Sequence, residues 1–251
     1  MTLAVETSAA PAGARQADRP ASRAIIVLGA QRSGTTIIAT AIGAHPAVAL
    51  LNEERHGAMF RVVGGKIPAV KLCTPSQVQI DRRWNSIYHL LFSVDWILHR
   101  VGYRVPRSRL SLRDMTRRTE LMAVCLIREP SASLDALRRR EKWPERAFRD
   151  TLRRCYDTFV RLESEPRVKC CVVSYDRFIR EPESQLRKLC DWLGLPFDGA
   201  MLDAPKLNPY YPESSFRADK VSAVPEFGHR EEDAELAALR RSYEALLARA
   251  L

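Results

Sequence analysis

The stretch that most constrains this chain runs from Ile25 to Thr36: Ile-Ile-Val-Leu-Gly-Ala-Gln-Arg-Ser-Gly-Thr-Thr. Its four apolar, mostly β-branched residues predict a buried strand. A turn bounded by Gly29 and Gly34 follows, and the apolar, Ala-rich run to Ala44 predicts a helix. Strand, glycine turn and helix in that order aim unpaired backbone N–H groups at one point, which suits an anion and a phosphate best. The spacing of Gly29 and Gly34 is that of a phosphate loop, yet Thr35 stands where such loops carry lysine. The cation within the loop is Arg32, and two hydroxyls, Thr35 and Thr36, open the helix. The expectation is a loop in which Gln31, Arg32, Ser33, Gly34, Thr35 and Thr36 hold a phosphate-like group without a metal.

The rest of the chain alternates strand and helix patterns. Strands are predicted at Val48–Leu51, Pro68–Leu72, Leu121–Ile127 and Val168–Ser174. The third is an unbroken apolar run, as expected for a strand buried on both faces of a parallel sheet. Helices are predicted from Trp84 to His99, from Pro144 to about Leu162, from Pro182 to Leu193 with a stop at Gly194, and from Glu231 to Leu251. Trp84, Tyr88, Phe92 and Trp96 form a stripe that reads first as core packing and second as an acceptor-pocket wall. Residues 102–118, rich in arginine, read as a surface insertion, and residues 203–229, with four prolines, as a long loop. The fold class is therefore α/β: a P-loop-type three-layer fold with a central parallel sheet flanked by helices.

A chain of 251 residues accommodates one such domain over residues 24–251. Residues 1–23, rich in Ala, Pro, Ser and charge, hold no apolar run that would make a leader or a membrane span. They read as a disordered tail of a soluble, cytoplasmic protein. The net charge of +10 favours anionic partners, but no basic run interleaved with aromatics suggests nucleic acid. The six cysteines form no Cys-x-x-Cys pair and the five histidines no metal-ligand spacing, so buried free thiols and no metal centre are expected.

Gln-Arg-Ser-Gly-Thr-Thr after a strand, with His45-Pro46 beyond the helix, closely resembles the 5′-phosphosulfate loop of sulfotransferases. These enzymes use 3′-phosphoadenosine 5′-phosphosulfate (PAPS), and the likeness is nearest to the bacterial and Golgi-type branch that includes the tyrosylprotein sulfotransferases. Arg128-Glu129-Pro130, after a central strand, resembles the family's Arg-x-Pro step, whose arginine and a following serine hold the cofactor's 3′-phosphate. The serine position holds Ala136 here, and Ser133 or Ser131 is the candidate substitute. Val173-Ser174-Tyr175-Asp176-Arg177-Phe178 is similar to the family's Tyr-Glu-Asp-Leu strand end, which implies Tyr175 near the nucleotide, with a plain core aromatic as the other reading. The likeness implies Lys71, ahead of Thr74-Pro75, as a second cation beside Arg32.

What the resemblance implies is transfer of a sulfuryl group from PAPS to an unidentified hydroxyl or amine acceptor. The acceptor must lose a proton, so a carboxylate or histidine has to reach it. Glu53, at the end of the strand after the loop helix, is the expected base; Glu54 competes with it, and His45 is a weaker choice. Two other readings stay open at this point: a kinase-like phosphotransferase, and a nucleotide-binding protein that has lost turnover.

Overall fold

The computed structural model describes residues 22–52, 65–75, 77–79, 110–112, 116, 119–140, 144–204 and 233–251. Its strands are β1 (Arg23–Gly29), β2 (Val48–Asn52), β3 (Ile67–Cys73), β4 (Val78–Gln79), β5 (Leu110–Ser111), β6 (Glu120–Ile127) and β7 (Val168–Ser174). Its helices are α1 (Thr35–Gly43), α2 (Pro130–Arg140), α3 (Glu145–Glu163), α4 (Tyr175–Arg180), α5 (Pro182–Leu193), α6 (Ala200–Asp203) and α7 (Ala234–Leu247).

Five strands form one sheet in the order β2-β3-β1-β6-β7, and every neighbouring pair is parallel. The α/β class with a central parallel sheet is therefore observed as the sequence predicts. β1 lies in the middle because it and β6 carry no charge between Ala24 and Leu28 or between Leu121 and Ile127, and a strand covered on both faces tolerates none. Side chains alternate about this sheet. Ala24, Ile26 and Leu28 join Leu121, Ala123, Cys125 and Ile127 in one core layer, under Phe148, Leu152 and Phe159 of α3 and Leu239 and Leu246 of α7. Ile25 and Val27 join Met122, Val124 and Leu126 on the other face, under Ile38 and Ile42 of α1 and Leu186 and Leu189 of α5. The chain builds β1 to β3 on one side, then crosses back to place β6 on the other side of β1. That reversal opens a crevice at the carboxyl end of β1, where open parallel sheets bind ligands.

Helix ends follow their local chemistry. Pro182 opens α5, and Gly194 closes it in the left-handed region at φ 66, which glycine adopts without steric cost. Asp233 caps α7 by accepting from Leu236 N–H at 2.8 Å. Arg149 of α3 reaches the same cap, pairing with Asp233 at 2.5 Å and with Glu145 at 2.6 Å, and so fixes α7 across α3. Arg177 of α4 donates to the carbonyls of Leu247, Ala250 and Leu251 at 3.1–3.4 Å, neutralising the far end of α7.

The structure departs from expectation in three places. Tyr175–Arg180 forms a short helix directly after β7; the Ser174 hydroxyl that accepts from Arg177 N–H is its signal. Residues 110–112, part of the expected surface insertion, are anchored instead: β5 pairs with β4, and Leu112 is 1% exposed within the first core layer. Leu112, set in an arginine-rich segment, supplies the apolar anchor. The final helix is shorter than read, Ala234–Leu247. All six cysteines are free, and Cys125 and Cys170 bring their sulfurs to 3.4 Å across β6 and β7. The helix read at Trp84–His99 and nearly all of the loop read at 203–229 lie outside the described residues. No helix among the described residues is long and apolar enough to cross a membrane.

Phe159 is fully buried at the centre of the α3 face. Phe159→Ala should cost about 3–5 kcal/mol through lost transfer energy and a residual cavity, read as a lower denaturation midpoint in urea with an unchanged slope. A loss below about 1 kcal/mol would mean that α3 does not depend on this contact.

Candidate active site

The loop leaves β1 at the crevice. Gly29 is its first constraint: a Cβ there would lie 2.4 Å from Thr35 Cγ2 and 2.6 Å from Ser33 Oγ. Its carbonyl accepts from Thr74 N–H at 2.9 Å, which ties the end of β3 to the loop. Ser33 turns the chain, with N–H and Oγ both donating to Ala30 O at 3.2 and 2.7 Å. Arg32 and Gly34 both take the left-handed region, at φ 66 and 95. For arginine this conformation costs roughly 1–3 kcal/mol. The alternation curls the backbone into a concave set of N–H groups, the form in which loops cradle anions. No side chain caps α1, and no acid stands in its first turn, so its positive end faces the crevice uncompensated.

Arg128 follows β6, which pairs with β1 so that Gly29 and Leu126 stand side by side. This register brings the two loops together. Arg128 Nη1 donates to Arg32 O at 3.0 Å, and its guanidinium lies 4.6 Å from the centre of the Tyr175 ring. The same ring packs on the α-carbon of Gly34, where a Cβ would come within 2.3 Å of it. Tyr175 is thus a wedge between loop and arginine, 7% exposed. Burial raises its pKa, and the charge of Arg128 opposes that rise. The Nε of Arg128 is buried and has no partner among the described residues. A buried guanidinium N–H left unpaired is costly, and an incoming anion would satisfy it.

Further side chains fix the backbone beside Arg128. Tyr156 of α3 donates its hydroxyl to Arg128 O at 2.9 Å. Glu129 N–H donates to Asp176 Oδ2 at 3.2 Å, and the Tyr243 hydroxyl of α7 donates to the same oxygen, also at 3.2 Å. Burial raises the pKa of Tyr156. Burial and then the charge of Asp176 raise that of Tyr243. Both phenols therefore keep the proton they donate at neutral pH. Glu129 itself caps α2 through Ala132 N–H at 2.7 Å.

The other expected positions divide. Gln31 has a buried Oε1 with no partner among the described residues; Thr35 is buried, and Thr36 is half-buried. Lys71 is half-buried on β3, level with Val27 and with Asn52. Ser133 is fully buried, with an unpartnered hydroxyl, and full burial counts against direct ligand contact in this conformation. Ser131 is 6% exposed, and Ala136 is half-buried. His45 is consumed by structure: Nδ1 accepts from Ala47 N–H at 3.1 Å, which leaves Nε2–H to donate to Pro196 O at 2.8 Å. Glu53 and Glu54 lie outside the described residues. Among the described residues no group of three or more His, Cys, Asp or Glu could hold a metal ion.

Sequence reasoning missed Tyr156, Asp176 as a ligand of Glu129 N–H, and Tyr243. Tyr156 had a readable signal. It sits four residues after Leu152 on the apolar stripe of α3, and a buried tyrosine needs a partner for its hydroxyl. Asp176 and Tyr243 pair across sixty-seven residues and carried no such signal.

Residues 119–199 match the Sulfotransferase family. None of the curated proteins matches the chain significantly. Among solved structures, the sulfotransferase domain of the Synechococcus PCC 7002 olefin synthase is similar at 14% identity and a TM-score of 0.58, covering 91% of this chain and 97% of that one. The sulfotransferase domain from the curacin biosynthetic pathway is similar at 12% identity and a TM-score of 0.53, covering 92% and 99%. These likenesses establish the fold, and the family match falls on β6, Arg128, β7 and α5, the segment that carries the second strand end of the crevice. Over residues 119–199 the chain is similar to the sulfotransferase family.

Proposed function

We propose that this chain transfers a sulfuryl group from PAPS to a hydroxyl or amine acceptor, in line, with Glu53 as general base. The observation that carries the reading is the convergence of the loop, Arg128 and Tyr175 at the carboxyl end of β1. The loop from Gln31 to Thr36 would hold the 5′-phosphosulfate through backbone N–H groups and the Arg32 side chain. Arg128, with its unpartnered buried Nε, would take the 3′-phosphate, and Tyr175 keeps the two grips apart. Ser133 is the candidate on α2 for a second 3′-phosphate contact, with its burial as the argument against it.

PAPS supplies an activated sulfur whose bond to the phosphate oxygen breaks as the acceptor oxygen or nitrogen bonds to it. The protein's share is to hold that sulfur in line and to absorb charge on the departing phosphate. Arg32 and the α1 N-terminus serve the second task, and Lys71 is a further cation on the neighbouring strand. The acceptor proton passes to the Glu53 carboxylate. Support for Glu53 lies in the position of Asn52, the residue before it. Asn52 ends β2 level with Lys71, at the same sheet edge as the loop.

Adenosine 3′,5′-bisphosphate should stabilise the protein far more than Mg²⁺-ATP. At a hundredfold excess over its Kd it contributes about 2.7 kcal/mol, a rise of about 5–10 °C in Tm for a domain of this size. A larger rise with Mg²⁺-ATP would sink the PAPS reading in favour of a kinase-like one.

Glu53→Gln should preserve bisphosphate affinity while turnover falls by about 10²–10⁴-fold, measured by mass shift on an acceptor found by screening with labelled PAPS. Glu54→Gln should be milder. A collapse only in Glu54→Gln would move the role one residue along. Near-normal turnover in both would remove carboxylate catalysis from this strand end.

A further inference from the structure

Between the last ladder residue of β6, Ile127, and the first residue of α2, Pro130, the chain has one peptide unit to fix, that joining Arg128 to Glu129. Sheet pairing ends at Ile127, and Pro130 has no N–H. The carbonyl and the N–H of this peptide are nevertheless both held, by side chains from outside the strand. Tyr156 of α3 donates to the carbonyl. Asp176 at the start of α4 accepts from the N–H, and Tyr243 of α7 donates to the accepting oxygen. Arg240, one turn before Tyr243, lies 3.9 Å from Glu129 Oε1. Three helices thus converge on the peptide from which the Arg128 side chain departs.

We propose that Tyr156, Asp176 and Tyr243 act as positioning residues that set the site's preference for a nucleotide bearing a 3′-phosphate. The inference rests on the assignment of Arg128 to that phosphate. The peptide plane fixes the direction of the Arg128 Cα–Cβ bond, and a long side chain magnifies any rotation at its root. Bidentate recognition of a phosphate depends on the placement of the guanidinium fork. Supporting side chains that lock such a group typically hold it within about half an ångström. The 5′ end of the nucleotide is gripped by another element, the β1–α1 loop, whose shape comes from Gly29, Ser33 and Gly34. Arg128 also braces that loop through one bond to Arg32 O, so loosening the clamp should alter the 3′ grip most and the 5′ grip far less. A purely structural role for these side chains would weaken both alike.

The test is calorimetric titration of the full chain with adenosine 3′,5′-bisphosphate and with adenosine 5′-phosphate, taking the ratio of the two Kd values as the readout. Tyr156→Phe and Tyr243→Phe should each lower the bisphosphate preference about fivefold, the equivalent of one neutral hydrogen bond, with adenosine 5′-phosphate affinity within about twofold of the parent. Asp176→Ala should lower the preference at least as much. Asp176→Asn should restore it, because one oxygen accepts both hydrogen bonds in this structure and an amide oxygen can do the same. Arg128→Ala is the reference for complete loss. A preference kept in both phenylalanine variants but lost in Arg128→Ala overturns the clamp and leaves the site assignment standing. Equal loss of affinity for both nucleotides, or failure of Asp176→Asn to restore the ratio, also overturns it. No preference in the unaltered protein, or one that survives Arg128→Ala, overturns the 3′-phosphate assignment and the clamp with it. Should Tyr156→Phe not fold, Tyr243→Phe decides the question from the edge of the cluster.

Discussion

The site depends on the pairing of β6 with β1. Because the chain turns back over β1 after building β2 and β3, two strands far apart in sequence end side by side, with Gly29 level with Leu126. The glycine loop with Arg32 and the turn with Arg128 leave the sheet at these two ends. The pairing itself rests on uninterrupted apolar strands covered on both faces. A charge within either strand would disturb both core layers and the spacing of the loops at once, since a group buried on a fully covered strand has no water to turn to.

Between the two loops stands Tyr175, and the local energetics explain its place. The loop holds Arg32 in a left-handed conformation that arginine adopts at a cost. Such strain persists only where neighbours over-determine it, and here they do. Ser33 pins the turn to Ala30, the Tyr175 ring closes against Gly34, and Arg128 bonds the carbonyl of Arg32 itself. Arg128 therefore has two tasks, bracing the loop with Nη1 and leaving Nε in need of a partner. An anion that satisfied the second task would not disturb the first. Each of these braces is supplied by the chain itself, and a site held by its own side chains spares binding the entropy of ordering it.

How much of this was legible in the sequence follows the range of the forces involved. The β1–loop–α1 unit was readable because its signals are local: β-branched strand residues, two glycines at fixed spacing and a helix opened by threonines. α5 was readable to the residue, since Pro182 and Gly194 mark its ends by their backbone preferences alone. Arg128 was readable through the strand before it and the proline after it. What could not be read was the partner of each polar group. Tyr175 gave no sign of its partners, and it is a buried ring with the loop on one side and a guanidinium against it. His45, weighed as a distant candidate base, is spent on Ala47 and Pro196, the latter 151 residues away, a distance no local pattern encodes. The short helix α4 was missed although Ser174 announced it, because a six-residue helix has too few turns to show a period.

The same contrast separates the two halves of the chemistry. The cofactor grip draws on short, rigid connections between paired strands, where backbone geometry decides the outcome and one residue type fits. Gly29 and Gly34 leave no room for a Cβ, so the loop's shape is set by sterics before any charge is considered. The proposed base follows directly on the last residue of β2, an edge strand paired on one side only. Among the described residues no strand lies beyond it, and such an edge position suits a group that must meet acceptors of varied shape. On the proposed reading, the centre of the sheet carries the part of the site that the nucleotide would dictate, and its β2 edge the part that the acceptor would.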